Sequence, residues 1–304
     1  MRWLKPKSSD AKKLSIDPPA PRAGRHGIAI AACVKNEALY IKEWIRFHQA
    51  VGIRHFYIYD NGSSDETCTL LRSLLSEEEL TIVPWAGRMR DAATGTMLNG
   101  QVITFAHAIL NFGGDYRWMA FVDVDEFLLP RHGCTVEEAL KAVGDFPNVS
   151  LPWHMFATSG HDVPPDGPLT LNYTLRGADP MTSKENVSNF KCIVDPCEVT
   201  EVSVHQFQTR AHGDLTANDA GKRFSRRGRK ALEFYSNQFL QLNHYYTKSR
   251  QELMAKLERG WVYDSSATKY REKVLSVVKS IEEDLAEDRS MIDFIEHNHI
   301  DLGR

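Results

Sequence analysis

No apolar run in the 304-residue chain approaches the roughly 18 to 20 residues needed to span a bilayer. The opening stretch "MRWLKPKSSDAKKLSIDPPAPRAGRHG" also lacks the apolar core of a secretory signal. The expected location is therefore cytoplasmic, with peripheral association to an inner membrane left open. In that setting the four N-x-S/T triplets beginning at Asn61, Asn148, Asn172 and Asn186 read as chance matches to a glycosylation acceptor. Cysteine is scarce and scattered: of Cys33, Cys68, Cys134, Cys192 and Cys197, only the last two are near neighbours, and no C-x-x-C pair occurs. That excludes a zinc ribbon and leaves reduced thiols as the expected state. Neither sign of charge dominates, with 37 Lys and Arg against 40 Asp and Glu, so there is no global electrostatic case for nucleic-acid binding. The chain has no G-x-G-x-x-G after a strand, no G-x-x-x-x-G-K-[ST], no H-E-x-x-H and no G-x-S-x-G. Dinucleotide, P-loop, zincin and nucleophile-elbow chemistries have nothing to stand on.

What is present reads as a soluble globular protein, 42% hydrophobic and 25% charged, long enough for one large domain or two modest ones. Residues 1–25, rich in Pro, Lys and Ser, are expected to be a flexible lead-in. "GIAIAACVKNE" (27–37) fits a strand buried on both faces. "EALYIKEWIRFHQAVG" then puts Tyr40, Ile41, Trp44, Ile45, His48 and Val51 on one helical stripe, with Gly52 as its stop. Strands at 55–60 and 80–85 flank a helix for which Ser63 and Glu66 offer a capping box, and a helix over about 98–111 follows. This alternation predicts a mostly parallel sheet covered on both faces, in which ligands bind at the carboxyl ends of the strands. Lys35, Asn36 and Glu37, then Asp60 and Asn61, then Asp123 and Asp125 all fall at such ends.

The most informative stretch is "RWMAFVDVDEFLLP" (117–130), where a run suited to burial carries Asp123, Asp125 and Glu126. Three carboxylates in apolar surroundings require something positive among them. Residues two apart in an extended chain point the same way, so Asp123 and Asp125 can share a hard divalent cation, which would in turn neutralise a diphosphate. An EF-hand loop is excluded because its later acidic positions and its Gly do not follow.

Three segments in order, "ACVKNEALYIKEWIRFHQAVGIRHFYIYDNGSSDET", "WMAFVDVDEFLLP" and "LNHYYTKSRQELMAKLERG", together resemble the family 2 and family 92 type glycosyltransferases of the GT-A fold. The resemblance spans most of residues 27–261. It implies an α/β, Rossmann-like sheet, a nucleotide-sugar donor (UDP-sugar before GDP-sugar), inverting transfer, and Mn²⁺ or Mg²⁺ held by Asp123 and Asp125. Carried over by motif, Asp60 would contact the nucleotide, with Asn36, Glu37 and Asn61 lining the same pocket, although Asn36, Glu37 and Asn61 equally suit caps and turns. "LPWHMFATSGHD" resembles the acceptor side: Trp153 can stack on a sugar, His161 lies beside it, and Asp162, with Glu126 as the alternative, is the expected general base. His205, in "KCIVDPCEVTEVSVHQF" read as one alternating strand, is the expected third metal ligand. His244, Tyr245 and Lys248 match the third motif and would meet the acceptor or donor phosphates, or anchor the core.

The expected organisation is a catalytic domain over 26–248, with a donor half at 26–130 and an acceptor half at 131–248, followed by a helical extension at 249–304. Ser249 and Glu252 form a capping box for its first helix. The basic run "GKRFSRRGRK" suits a solvated loop, a lid over a diphosphate, or a contact to an anionic acceptor or membrane. The function expected is transfer of a sugar to a glycan or lipid-linked acceptor in polysaccharide synthesis. The competing readings are a nucleotidyltransferase or phosphohydrolase on the same cation, and an inactive carbohydrate-binding relative.

Overall fold

The computed structural model describes residues 11–184, 186–259 and 267–303. The donor half folds as strand and helix in alternation: β1 (Leu14–Ser15), β2 (Ile28–Val34), α1 (Ile41–Ala50), β3 (Ile53–Asp60), α2 (Thr67–Leu74), β4 (Leu80–Pro84), α3 (Gly100–Phe112), β5 (Trp118–Phe121) and β6 (Glu126–Pro130). The next part is strand-rich, with α4 (Val136–Leu140), β7 (Asn148–Met155), α5 (Leu169–Asn172), β8 (Leu175–Gly177), β9 (Phe190–Val194), β10 (Val199–Ser203), β11 (Gln206–Thr209), β12 (Thr216–Ala217), β13 (Arg223–Phe224) and β14 (Leu240–His244). The chain closes with α6 (Arg250–Arg259), α7 (Ala267–Glu282), β15 (Leu285–Glu287) and α8 (Ser290–His297). Among the described residues no helix is long and apolar enough to cross a membrane.

The central sheet runs β13-β12-β7-β9-β5-β2-β3-β4, with β14 beside β7 and β6 beside β14. β6, β9 and β13 run against the other strands, so the sheet is mainly parallel, as the alternation predicts. Strand β2 explains the two-faced core. Ile28, Ile30, Ala32 and Val34 enter one apolar cluster with Trp44 and Phe56, while Ala29 and Ala31 enter a second with Phe105 and Phe121. A strand buried on both faces has no polar side to spare, and this one has none. The expected α1 stripe is buried throughout, and Gly52 closes that helix with φ 91°.

Some expectations need correcting. Residues 11–25 are not a loose lead-in: β1 pairs with β10, and Arg25 is bonded to both oxygens of Asp195 at 2.6 and 2.7 Å. Residues 1–10 lie outside the described residues. The Ser63 and Glu66 capping box does not form, because Ser63 Oγ instead accepts from the Asn36 N–H and α2 starts later, at Thr67, with Asp65 accepting from the Thr67 N–H at 3.0 Å. "KCIVDPCEVTEVSVHQF" is three strands rather than one. A turn at Asp195–Glu198 and a tight hairpin at Val204–His205 break the alternation. The C-terminal helices are built onto the core, α8 through Phe294 against Phe47 and β15 through pairing with β8. The Ser249 and Glu252 capping box is present.

Candidate active site

Sheet order decides which residues meet. β2 and β5 are parallel neighbours whose following segments depart in opposite directions, which is where a parallel sheet opens a crevice at its carboxyl edge. The loops after β2 and β3 are stitched together there. Asn36 Oδ1 accepts from the Ser64 N–H at 2.8 Å, Asp60 Oδ1 accepts from the Ser63 N–H at 3.0 Å, and the Asn61 N–H donates to the Val34 carbonyl at 2.8 Å. The Glu37 N–H donates to Thr67 Oγ1 at 2.8 Å. All four expected donor-side residues therefore stand on this rim, and each also closes a turn. Asn36 does so in the left-handed region at φ 57°, a conformation Asn tolerates better than most side chains.

Beyond β5 the chain makes a tight turn over Asp123–Glu126 and returns as β6. The Glu126 N–H donates to the Asp123 carbonyl at 3.0 Å, and Glu126 Oε2 accepts from the Asp123 N–H at 2.8 Å. Two elements fix this turn from outside. Trp44 of the α1 stripe donates its indole N–H to the Glu126 carbonyl at 2.9 Å, and the Tyr245 N–H donates to the Asp125 carbonyl at 2.8 Å.

The positive group that the three carboxylates require is supplied by the chain. Lys191, only 1% exposed, places Nζ 2.7 Å from Asp123 Oδ2 and 3.5 Å from Glu126 Oε2. It reaches them because β9 runs against β5, which brings the first residues of β9 to the last residues of β5. Burial works against the ammonium, but Asp123 and Glu126 more than offset it, and the lysine pKa is raised. Gln101 at the start of α3 donates to the other Asp123 oxygen at 2.7 Å. Glu126, with no exposed side-chain surface, has its pKa raised by burial despite Lys191. Neither Lys191 nor Gln101 figures in the sequence reading. The available signal was a lysine inside the apolar run "NFKCIVD", where an uncompensated charge would be costly.

Asp125 faces the other way, toward His244, whose Nε2 lies 3.5 Å from Asp125 Oδ2 while Nδ1 lies 3.8 Å from Glu126 Oε1. Although burial pushes the Asp125 carboxyl up, His244, Lys248 and Lys256 together hold it well below the usual carboxylate range. The placement of His244 follows from register: β14 sets it opposite Glu126 of β6 and beside Met155 of β7.

The expected metal shell of Asp123, Asp125 and His205 is not formed, and among the described residues no group of three or more His, Cys, Asp or Glu is arranged to hold a metal. His205 sits on the β10–β11 hairpin. Its Nδ1 donates to the Phe190 carbonyl at 3.0 Å, and its ring meets Trp153 edge-on at 5.4 Å. Burial, aided by Lys191, lowers its pKa to about 3, so it is neutral. His244 stands where His205 was expected. With Asp125 it gives a facing carboxylate and imidazole, a donor set that suits Mn²⁺. His244 Nδ1 and Glu126 Oε1 are both buried without a hydrogen-bond partner.

On the acceptor side the residues scatter. Trp153, 9% exposed, packs its ring against His244 at 4.6 Å in a tilted arrangement. His161 contacts the Asn172 carbonyl at 3.1 Å and packs on Tyr173. Asp162, its side chain 75% exposed, pairs with Arg250 at 2.8 Å, and no contact joins it to the acid turn. Tyr245 is a correction: fully buried between Phe127 and Phe156, it anchors the core and cannot meet an acceptor. Lys248 places its ammonium 4.1 Å from the centre of the Tyr40 ring. Lys222, Arg223, Arg226, Arg227 and Lys230 of the basic run are exposed. Arg229 is buried, donating to Ser150 Oγ and the His205 carbonyl at 2.8 Å each, and Arg223 covers Phe146.

Among curated proteins, a glycosyltransferase family 92 protein from Ricinus communis is 28% identical over 158 residues, covering 50% of this chain and 26% of that protein. Another from Oryza sativa subsp. japonica is 27% identical, covering 59% and 31%, and one from Arabidopsis thaliana is 28% identical, covering 64% and 34%. The chain thus spans about a third or less of the length of these relatives. Among solved structures, Staphylococcus aureus TarS 1-349 in complex with UDP aligns at TM-score 0.32 and 14% identity, covering 56% of this chain and 47% of that one. Glucosyl-3-phosphoglycerate synthase from Mycobacterium tuberculosis, in complex with Mn²⁺, UDP and glucosyl-3-phosphoglycerate, aligns at 0.26 and 15%, covering 43% and 45%. The model of glycosyltransferase family 92 matches residues 28–289, nearly all of the described fold, and the chain belongs to that family.

Proposed function

We propose that this chain transfers a sugar from a nucleotide-sugar donor, a UDP-sugar before a GDP-sugar, to a hydroxyl of a glycan or lipid-linked acceptor, with inversion at the sugar carbon. The observation that carries the reading is the acid turn at the carboxyl edge of β5, faced by His244 on one side and Lys191 on the other. Asp125 and His244 are the pair that would hold Mn²⁺ or Mg²⁺, and an ion bound there offsets charge on the departing diphosphate. Lys191 and Gln101 hold the two carboxylate oxygens of Asp123, and Asp60 and Asn36, on the loops after β3 and β2, are the residues that would complete the donor rim.

Of the two acids expected as general base, Glu126 is enclosed, with Oε2 held by the Asp123 N–H. Asp162 stands in solvent and can meet an acceptor hydroxyl without disturbing the buried turn. Support for Asp162 is thus its accessibility, and its role is that of proton acceptor.

The test is thermal stabilisation of the purified chain by UDP-sugars in the presence of Mn²⁺. Ligand at about 100 times its dissociation constant adds roughly 2.7 kcal/mol. A shift with nucleoside triphosphates and none with nucleotide sugars would favour the nucleotidyltransferase reading instead.

A further inference from the structure

At the β13 edge of the central sheet sits a compact basic unit that the proposed donor site does not use. It runs from β13 through short 3₁₀ turns at Gly228–Lys230 and Leu232–Phe234. Its inward side is anchored. Buried Arg229, besides its bonds to Ser150 and the His205 carbonyl, lies 4.4 Å from the centre of the Phe190 ring, and fully buried Phe234 meets Phe190 and Phe224 edge-on. Backbone bonds from Arg229 to Ser225, Lys230 to Arg227, Ala231 to Gly228 and Phe234 to Ala231 close each turn, so the unit is a rigid knot and not a loose loop. Its outward side carries Arg226, Arg227 and Lys230, all exposed, and no ion pair among the described residues engages them. With Lys222 and Arg223 they make five exposed cations, and Glu233 is the one acid between residues 221 and 235. Leu232 stands among them at 69% exposure, more than any other large apolar side chain of the described residues.

We propose that this unit seats the chain on an anionic lipid bilayer, with the cations against headgroup phosphates and Leu232 in the acyl boundary. A cluster of like charges or a single exposed leucine is ordinary at a protein surface when it occurs alone. The two together on the outward side of one rigid unit fit a partner that is anionic at its surface and apolar just beneath, which is the layering of a bilayer. A dissolved polyanion would engage the cations and leave Leu232 in water. Nucleic acid fits less well still, because the rings of the unit, Phe224, Phe234 and Tyr235, are buried or half-buried and offer no base a free face, and the whole chain carries a formal charge of −3. Rigidity favours docking too: the anchored turns already hold the cations in place, so little conformational freedom is lost when they meet the surface.

The experiment is flotation of the purified chain with phosphatidylcholine vesicles, with and without phosphatidylglycerol as the anionic lipid, at low and at high salt. Binding is expected to the phosphatidylglycerol vesicles at low salt, to drop steeply without that lipid, and to fall at high salt as the charges are screened. Each basic residue near an anionic surface is worth about fivefold in partition, so the triple variant Arg226→Gln, Arg227→Gln, Lys230→Gln should lose on the order of 100-fold. Leu232→Gln, which leaves every charge in place, should lose about tenfold. All four side chains are exposed, so the melting temperature should stay at the wild-type value and the losses are not folding artefacts. The proposal is overturned if the chain does not float with phosphatidylglycerol vesicles, if it floats equally with both kinds of vesicle, or if either variant floats as wild type does. Capture on dextran sulfate that is as tight in Leu232→Gln as in wild type, with no flotation of either, would overturn it in favour of a dissolved polyanion. Flotation with the expected sensitivities in a chain that does not bind UDP would uphold the bilayer contact and overturn only the donor-site reading.

Discussion

Replacing Lys191 by Met removes the one cation buried against Glu126 and should be the most destabilising single change at the site. At 3.5 Å the Lys191–Glu126 attraction is about 5 kcal/mol at an effective dielectric near 20. Breaking one side of such a buried pair ordinarily costs about 3–5 kcal/mol. Asp123, with its side chain 34% exposed, is rescued by water, so most of the loss falls on Glu126. Glu126 can escape by taking up a proton. Its folded pKa is raised above the unfolded value by burial, so its effect on stability is least adverse in acid and grows as pH rises through the folded value. Without Lys191 that folded value rises further and the window widens upward. The variant's Glu126 therefore holds its proton to a higher pH than the wild-type group does. The destabilisation should be about 3–5 kcal/mol at pH 8.5 and smaller at pH 5.5, where Glu126 is relieved by its proton. Urea denaturation with EDTA present at the two pH values measures it. Adding Glu126→Gln should recover most of the loss, because a neutral pair needs no counter-ion. A cost below about 1 kcal/mol at pH 8.5, or equal costs at both pH values, would refute the claim that Lys191 is the counter-ion of this turn.

His244→Ala should lower Mn²⁺-dependent UDP affinity by about tenfold or more, the scale of a lost ligand or its support, while His205→Ala leaves it near wild type; calorimetry with and without Mn²⁺ separates them. Asp162→Asn should cut turnover by about 100-fold with donor affinity unchanged, as expected of a general base, and near-normal turnover would return the assignment to another acid. His48 donates from Nδ1 to the Trp44 carbonyl at 2.9 Å and accepts the Leu128 N–H at Nε2, so His48→Leu should cost about 2–4 kcal/mol in urea denaturation. Burial lowers His48, His154 and His205 to about 3 each, below the unfolded value, so each takes up a proton on unfolding below about pH 6.5. Stability should therefore fall as pH drops from 6.5 toward 3, and His48→Leu should flatten that slope.

Where side-chain periodicity carried the information, the sequence was readable. The α1 stripe and the doubly buried β2 follow from period and are in place, whereas the Asp123–Asp125 segment, read as extended with both carboxylates facing one way, is a turn in which Asp123 meets Lys191 and Asp125 faces His244. Cap chemistry was half readable. The Ser249 box forms because its helix begins there, whereas Ser63 is captured by Asn36 across the rim, a tertiary contact with no local signature. Register was the hidden quantity. Lys191 reaches Asp123 only because β9 is inserted antiparallel to β5, and His244 rather than His205 meets Asp125 only because β14 pairs with β6. A pattern of alternation says which face a residue takes, not which strand lies beside it. The same limit explains Tyr245, which lies next to His244 in a matching motif yet points to the core.

Asp125 of the acid turn and His244 of β14, which faces it, are proposed together as a nucleotide-diphosphate site. Calorimetric titration of UDP into the purified chain, with Mn²⁺ and again with EDTA, in wild type and Asp125→Asn, tests it most directly. Saturable binding is expected in wild type, weakening by about tenfold or more on removing Mn²⁺ or the Asp125 charge, which corresponds to at least about 1.4 kcal/mol. UDP binding that is the same with Mn²⁺, with EDTA and in Asp125→Asn would contradict it.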